Sequence, residues 1–425
     1  MNPIVKAVTS CLFFAGMCSS VLAADGQNAY LQSKVRYEAA MASLASYDDK
    51  PGQLAKSEYR DEGWQLESVT RINKSSQVEF IVLHKKAVEE HPARYILAIS
   101  GTVDKKDIKS DLRIHSVPFH REDGLESGRE IPSVHKGFDD YARTILDADL
   151  GGKKVADTLS SLIANRQAEL LVTGHSLGGA AAALIGARMA DRGYSPGDIH
   201  VISFGAPAVG NQAFADAYGQ AMNLERVVIE GDPVQHILQA LHTPYDQFGT
   251  KIVWKDSPDS YHFRHRMIVY ADAALRNYYD SLWAYEQQTG SPVFIERHPV
   301  VHSDIYVAPP VFTLDEDIQD DMPYMRAVIH HTLYRSINGA AFSPAFGESM
   351  AESCRAAARL HKPYIMQEYI TVQKQKEEEH TYRISVSRHI YDQQGRFLSA
   401  EEYTTDTSLF TPILAVLYCQ KQIRI

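Results

Sequence analysis

The chain has 425 residues, of which 44% are hydrophobic and 23% charged, and this length allows one large domain with an appendage or two domains with buried cores. Its formal net charge of −10 and isoelectric point near 6.0 provide no basic field that could neutralise phosphates. These values argue against a nucleic-acid partner and indicate an ordinary folded protein.

The N-terminus has the pattern of a secretory signal peptide. Lys6 is followed by an uncharged apolar run and then by small residues around an expected cleavage site after Ala23. An uncleaved anchor is the alternative, but the run is short for a bilayer span, and no later stretch approaches about 18 apolar residues. We therefore expect residues 1–23 to be removed and the mature chain to be periplasmic, envelope-associated or extracellular, without a transmembrane segment.

Short β-rich runs alternate with helical ones from about residue 30 to 285. The middle strands are continuous apolar runs, which is typical of parallel strands buried on both faces. This alternation predicts an α/β domain over residues 24–285, with a mostly parallel central sheet covered by helices on both sides. The predicted strands are 65–72, 78–84, 94–100, 169–174, 199–205, 225–230 and 250–254, and the predicted helices lie near 136–165, 177–192 and 211–222.

The pattern changes after Asn277, and residues 286–302 are predicted to be a linker. Residues 303–425 then predict a small α+β domain whose role the sequence does not specify. Its predicted strands are 304–312, 364–372, 381–392 and 395–403, and its predicted helices are 322–338, 348–360 and 407–421. The segment Asp392–Gly395 predicts the turn of a β-hairpin. Cys354 and Cys419 remain after signal cleavage, and in an oxidising compartment they could form a disulfide or stay as two buried thiols.

No sequence pattern predicts a metal or an organic cofactor. The chain lacks C-x-x-C and H-E-x-x-H spacings, so a zinc site has little support. The acidic run 314–321 lacks the spacing and the central glycine of a calcium loop. We expect this run to be a solvated loop.

Ser176 is the candidate nucleophile. It lies in Gly174-His-Ser-Leu-Gly178, between the apolar run ending at Thr173 and a small-residue helical segment. A nucleophile elbow needs this arrangement, because the serine projects from a sharp strand-to-helix turn and the residues two before and two after it must be small. The alternative is a glycine-rich turn with an incidental serine.

A serine hydroxyl needs a histidine to take its proton and an acid to orient that histidine. In α/β hydrolases the acid follows the serine in the chain and the histidine follows the acid. Asp232, just past the β-rich run 225–230, is the expected acid, whereas Asp216 on a predicted helix is more typical of a solvated face residue.

His265 is the favoured base, because it lies where a polar loop meets an apolar helix beginning near Arg266. His262 remains a rival on the same loop. The other histidines downstream of Asp232 are weighed less: His236 lies close enough to the acid to line the cleft, and His242, His298 and His302 complete the set.

Two backbone donors are expected to stabilise the oxyanion. One is the N–H of Leu177, which follows the nucleophile at the start of a helix. The other is expected on the loop after strand 94–100, where the turn Gly101-Thr102 favours Thr102.

These segments together resemble the class 3 lipases, the fungal-type triacylglycerol lipase family. The motifs that carry the resemblance are GHSLGG (174–179), SGT (100–102) followed by Asp107 and Asp111, VHKGF (134–138), FGAPAVGN (204–211), GDPV (231–234) and HRMIVY (265–270). The resemblance covers roughly residues 28–285. It implies an α/β-hydrolase fold, with Ser176, Asp232 and His265 as the catalytic triad and with Thr102 and Leu177 as the oxyanion hole.

The resemblance also implies a substrate class: carboxylic esters, acylglycerols or phospholipids, met at a lipid–water interface and hydrolysed without metal or organic cofactor. A phospholipase A-type activity on the same triad, and a non-catalytic envelope-binding protein on a hydrolase scaffold, are the alternatives. The sequence departs from the family in having Ile108 where tryptophan is usual and in a short gap of 33 residues between Asp232 and His265.

Such lipases often cover the site with a lid, and residues 113–133 lie at the corresponding point of the chain. The apolar patch Val117–Phe119 could form the inner face of a lid that meets lipid. An ordinary surface loop is the alternative, because the apolar content is small.

Overall fold

The computed structural model describes residues 26–72, 77–87, 92–101, 115–119, 130–164, 168–234, 245–255, 264–290, 303–337, 339–344, 347–375 and 381–423. The chain folds as two compact units, one formed by Arg36–Ala273 and the other by the residues up to Val35 together with Ala274–Ile425. The predicted signal peptide 1–23 and residues 291–302 of the predicted linker lie outside the described residues, whereas residues 286–289 of that linker are the end of a helix. The predicted division after residue 285 stays a prediction.

The unit of residues 36–273 is built on a seven-stranded sheet. Its first three strands are antiparallel, and the strands from β3 onward run parallel. In spatial order the strands are β1 (Gln65–Ile72), β2 (Gln77–Lys85), β3 (Ala93–Ile99), β8 (Ala168–His175), β9 (Ile199–Phe204), β11 (Asn223–Ile229) and β13 (Thr250–Trp254). The predicted α/β class and mostly parallel sheet are thereby confirmed, and each strand lies within two residues of its predicted bounds.

Helices pack on this sheet because its central strands are largely made of buried apolar side chains. Val172 and Val201 on β8 and β9 are fully buried against a helix that is itself buried along most of its length. The helices in or entering this unit are α1 (26–45), α2 (Lys50–Asp61), α3 (Lys136–Leu146), α4 (Val155–Ala164), α5 (Leu177–Ala190), α6 (Gln212–Tyr218) and α7 (Met267–Thr289). Helices α1 and α7 each contribute residues to both units.

The predicted helix 136–165 is wrong in one respect, since it is two helices. A small hairpin of β6 (Asp149–Leu150) and β7 (Lys153–Lys154) separates α3 from α4. Gly151 and Gly152 form its turn with φ of +61° and +88°, a region that costs a glycine nothing but that other residues avoid. The Gly-Gly pair was the signal for this break.

A second, four-stranded sheet holds the described part of the proposed lid. Its strands, in spatial order, are β12 (Tyr245–Asp246), β10 (Gly210–Asn211), β5 (Ser133–His135) and β4 (Ser116–Pro118). Phe119, next to β4, is buried against Phe214 and Tyr218 at ring-centroid distances of 4.9 and 5.3 Å. This burial is at odds with a lipid-facing Phe119, because its ring belongs to the core. Residues 113–114 and 120–129 of the segment lie outside the described residues.

The second unit contains a six-stranded mixed sheet. The hairpin turning at Asp392–Gly395 is confirmed by the antiparallel pairing of the strands Tyr382–Asp392 and Phe397–Thr407. The predicted strand 304–312 is instead two short strands interrupted at Ala308–Pro310, since proline lacks the N–H that a ladder needs. The strands are β14 (Ile305–Val307), β15 (Val311–Leu314), β16 (Ala341–Phe342), β17 (Tyr364–Lys374), β18 (Tyr382–Asp392) and β19 (Phe397–Thr407).

Three helices accompany this sheet: α8 (Met322–Ser336), α9 (Met350–Arg359) and α10 (Pro412–Gln422). Helix α10 buries Leu414 and Val416, which accounts for its apolar sequence.

The acidic run forms a 3₁₀ helix over Glu316–Asp321, and within the described residues no group of acidic, histidine or cysteine side chains could hold a metal ion. Cys354 and Cys419 are free thiols, so they are not bonded to each other. No helix among the described residues is long and apolar enough to cross a membrane.

Candidate active site

Ser176 lies on a sharp turn between strand β8 and helix α5. Its φ of 56° and ψ of −123° place it in a backbone region that non-glycine residues rarely occupy. Such strain costs about 1–3 kcal/mol and persists only where the surrounding structure enforces it. The turn projects the hydroxyl away from the strand, as a nucleophile elbow requires.

Gly174 and Gly178 make this turn possible because backbone fills the space where their side chains would be. A Cβ atom on Gly174 would overlap the carbonyl group of Gly178, and one on Gly178 would overlap the carbonyl of Ile99 at the end of β3. These neighbours are main-chain atoms, which cannot swing aside as the end of a flexible side chain can. The spacing of the two glycines is therefore a steric requirement of the turn.

Three residues from separate parts of the chain meet at this turn. His265 Nε2 lies 2.8 Å from Ser176 Oγ, and His265 Nδ1 lies 2.8 Å from Asp232 Oδ2. Asp232 follows the end of β11, and His265 stands two residues before α7, so the framework of sheet and helix sets both positions. All three side chains are buried. Because a carboxylate only accepts hydrogen bonds, Nδ1 donates to Asp232, and in the neutral ring Nε2 is free to accept the serine proton.

Asp232 is held by more donors than the histidine alone. The Tyr270 hydroxyl donates to Oδ2 at 2.5 Å, and the Val234 N–H donates to Oδ1 at 2.9 Å. Burial by itself would raise the pKa of Asp232, but the hydrogen bonds from His265, Tyr270 and Val234, with the charge of a protonated His265, outweigh it and lower the pKa. The carboxylate therefore remains ionised while it orients the histidine.

A second histidine, His175, contacts the same region from the end of β8. Its Nε2 lies 2.6 Å from the main-chain oxygen of His265, and its Nδ1 lies 2.7 Å from the Tyr47 hydroxyl. Tyr47 also accepts a hydrogen bond from the Gly101 N–H at 3.0 Å. Burial, and then the neighbouring His265, lower the pKa of His175 to about 3, so the ring is neutral.

Leu177 is the first residue of α5, where main-chain N–H groups have no partner within the helix. The Ser176 side chain makes no capping hydrogen bond to this helix end. The positive end of α5 and its free N–H groups thus lie beside the serine hydroxyl, where an anion would be stabilised.

The structure brings Ser176, Asp232, His265 and Leu177 together at one turn, and it places Asp216 on the exposed side of α6. Thr102 lies outside the described residues, although Gly101 before it is described. The rival histidines His236, His242, His262, His298 and His302 also lie outside them. His265 is therefore favoured as the base by its own contacts with Ser176 and Asp232.

Sequence reasoning missed Tyr47, His175 and Tyr270. His175 stood inside the GHSLGG motif, and Tyr270 follows His265 by five residues, which is a weak signal by itself. Tyr47 precedes His175 by 128 residues, and no motif marks it. Only the folded chain shows that it reaches this site.

Comparison with known proteins finds a family similarity over part of the chain. Residues 96–241 match the family model described as Lipase (class 3). A lipase from Caenorhabditis elegans is 44% identical over 85 residues, a stretch that covers 20% of this chain and spans only 24% of that relative. The resemblance to class 3 lipases is thereby confirmed for residues 96–241.

Solved lipase structures from fungi are similar to part of the chain. A lipase from Rhizopus microsporus var. chinensis is 23% identical with a TM-score of 0.42, covering 52% of this chain and 74% of that one. Lipase II from Rhizopus niveus is 22% identical with a TM-score of 0.41, covering 52% and 80% respectively.

Proposed function

We propose that this chain, whose residues 96–241 match the class 3 lipase family model, is a serine carboxylic-ester hydrolase whose nucleophile is Ser176. The observation that carries the proposal is the pair of 2.8 Å contacts that joins Ser176 to His265 and His265 to Asp232 on a strained turn. In this order of contact the histidine can take the proton of the serine, and the aspartate can orient the histidine. This is the geometry of a Ser-His-Asp catalytic triad.

In the first half-reaction Ser176 Oγ attacks the ester carbonyl carbon while His265 Nε2 takes its proton. The negative charge that forms on the carbonyl oxygen is stabilised by the Leu177 N–H and, from the neighbouring loop, by Thr102. His265 then gives the proton to the departing alcohol, the C–O ester bond breaks, and the acyl group remains on Ser176. Asp232 stays ionised and stabilises the protonated His265.

In the second half-reaction water attacks the acyl-serine. His265 Nε2 accepts a proton from the water, a second tetrahedral anion forms in the same oxyanion site, and its collapse returns the proton to Ser176 Oγ and releases the carboxylic acid. Neither step requires a metal ion or an organic cofactor, because Ser176 provides the nucleophile, His265 takes and returns the proton, and Asp232 orients His265.

The proposed substrates are acylglycerols or related lipid esters at a lipid–water interface. The family match, and the description of the Caenorhabditis elegans relative as a lipase, support this class. We place the catalytic domain at residues 24–285 and a small α+β domain at 303–425. We expect the mature protein outside the cytoplasm after loss of residues 1–23.

The direct test is turnover of p-nitrophenyl esters from acetate to palmitate, of tributyrin emulsion and of phosphatidylcholine vesicles. We expect hydrolysis of at least one acyl ester by the wild type and loss by about 10⁴-fold or more in Ser176→Ala. Absence of hydrolysis across the series would reject the proposal. Preference for the vesicles over tributyrin would move the substrate class to phospholipids.

A further inference from the structure

We infer that Tyr47 and His175 are positioning residues that connect the start of the oxyanion loop to the backbone of the catalytic base. The inference rests on the proposed function, since it assigns these two side chains to the same site. It is carried by three consecutive contacts: Gly101 N to Tyr47 Oη at 3.0 Å, Tyr47 Oη to His175 Nδ1 at 2.7 Å, and His175 Nε2 to the His265 main-chain oxygen at 2.6 Å.

Each proton in this chain of contacts has a fixed direction. The His265 carbonyl can only accept, so His175 Nε2 carries the hydrogen and donates it. In a neutral imidazole the other nitrogen is then an acceptor, so Nδ1 takes its hydrogen bond from the Tyr47 hydroxyl. With its one hydrogen committed to His175, the Tyr47 oxygen accepts from the Gly101 N–H, which is always a donor.

Burial keeps His175 neutral and Tyr47 protonated, as these hydrogen-bond directions require. His175 is buried, and its lowered pKa keeps the ring neutral at any pH at which the enzyme would work. A protonated His175 would carry hydrogen on both nitrogens and could no longer accept from Tyr47. Burial also raises the pKa of Tyr47 above its ordinary value, so the hydroxyl keeps its hydrogen.

The contacts at Gly101 show how closely these parts fit. A Cβ atom on Gly101 would lie 2.5 Å from the His175 main-chain oxygen, 2.8 Å from Tyr47 Oη and 3.0 Å from Ser176 Cβ. Gly101 therefore lies directly against the nucleophile and against the tyrosine that binds its N–H. The next residue is Thr102, the proposed oxyanion donor.

His175 thus connects three parts of the site. It precedes Ser176 in the chain, its Nε2 holds the backbone of His265, and its Nδ1 connects through Tyr47 to the oxyanion loop. Because neither Tyr47 nor His175 contacts the serine hydroxyl, their effect is on the relative placement of base and oxyanion donor. Misplacement of about 1 Å can cost up to about 100-fold in rate, and loss of one indirect contact should cost about tenfold.

The test compares Tyr47→Phe, His175→Gln and the double variant in p-nitrophenyl butyrate hydrolysis. Phenylalanine removes only the hydroxyl, whereas glutamine can still donate to the His265 carbonyl but loses the acceptor at Nδ1. The control is Tyr59→Phe, which removes a buried hydroxyl that donates to the Glu38 carbonyl at 2.6 Å outside the site. We expect each single variant to lower kcat about tenfold with KM within about twofold. Tyr59→Phe should keep the wild-type kcat although its Tm falls about as much as that of the single variants.

The double variant tests whether the two side chains act together. If they belong to one chain of hydrogen bonds, the kcat of the double variant should lie within about threefold of that of the less active single variant. It should be well above the kcat expected if the two fold-losses multiplied. A kcat within twofold of the wild type in Tyr47→Phe, an equal fall in Tyr59→Phe, or fully multiplicative losses would overturn the inference. If one single variant does not fold, the other is judged against the same control.

The outcome separates this inference from the proposed function. A wild type that hydrolyses the ester, with an unchanged Tyr47→Phe, would reject only the positioning role. A wild type that hydrolyses none of the esters would reject the proposed function itself.

Discussion

The Tyr270 hydroxyl donates to Oδ2 of Asp232 at 2.5 Å, the same oxygen that accepts from His265 Nδ1 at 2.8 Å. Tyr270 lies within the first turn of α7, and its ring is fully buried. The first turn of one helix therefore holds Asp232, while His265, two residues before that helix, provides the base. This arrangement makes the short chain separation between Asp232 and His265 compatible with the required contact.

Tyr270→Phe should lower kcat about threefold to tenfold while the protein stays folded, because Asp232 loses the Tyr270 donor but keeps those from His265 and Val234. Asp232→Asn should cost far more, about 10³- to 10⁴-fold, because the histidine then loses its correct tautomer. Tyr218→Phe is the matched control, since its hydroxyl donates to the Asp191 carboxylate at 2.6 Å away from the triad. Steady-state ester hydrolysis measures all three. Equal kcat in Tyr270→Phe and Tyr218→Phe would show that the contact has no role in turnover.

The lowered pKa of Asp232 predicts how stability depends on pH. A carboxyl group whose folded pKa lies below its ordinary value of 3.8 adds stability above pH 3.8 and loses it as pH falls through the folded pKa. The difference in free energy of unfolding between the wild type and Asp232→Asn should therefore move against the wild type as the pH falls below 4. Urea denaturation at pH 7, 5, 4 and 3 measures it, and the other carboxylates cancel in the comparison. A difference that moved in favour of the wild type on acidification would contradict a lowered pKa of Asp232.

The choice of base can be tested on two histidines three residues apart. His265→Ala should lower ester turnover by about 10⁴-fold, because Ser176 then has no proton acceptor at hydrogen-bond distance. His262→Ala serves as the control and should retain turnover within about threefold. Loss of turnover in His262→Ala with retention in His265→Ala would transfer the role of base to His262.

The elbow glycines should resist even the smallest side chain. Gly174→Ala would drive a methyl group into the Gly178 carbonyl, and we expect a loss of about 3 kcal/mol or more in the free energy of unfolding, or no folded protein. Gly197→Ala is the control, because the nearest atom to its Cβ is 4.0 Å away and its φ is not positive. Its stability should change by less than about 1 kcal/mol. Similar unfolding curves for both variants would mean that the turn accommodates a side chain at 174.

The sequence could predict the parts of the fold and the site that rest on local patterns. The apolar runs at 169–174 and 199–205 are typical of buried strands, and the glycines around Ser176 are typical of a tight turn. Phe119 was harder, because an apolar side chain in a polar loop looks the same whether it faces lipid or a core. Its burial depends on Phe214 and Tyr218, which come from a helix about 95 residues further along the chain.

Contacts that depend on three-dimensional placement gave no signal in the sequence. Tyr47 reaches His175 across 128 residues, and a tyrosine in a loop after a helix has no pattern that marks such a contact. Tyr270 looks like any aromatic residue on the buried face of a helix, since only its hydroxyl distinguishes it. The triad order could be predicted because the fold class constrains it, whereas these supporting tyrosines depend on how this particular chain packs.

The most direct test of Ser176 as the nucleophile is labelling of the wild type and Ser176→Ala with a fluorophosphonate probe, followed by mass spectrometry of the modified peptide. A fluorophosphonate reacts with a serine that a neighbouring base has activated, so the probe reports the nucleophile independently of the natural substrate. We predict stoichiometric labelling of the wild type on Ser176 and none of Ser176→Ala. An unlabelled wild type, or undiminished labelling of Ser176→Ala, would contradict the assignment of Ser176 as the nucleophile.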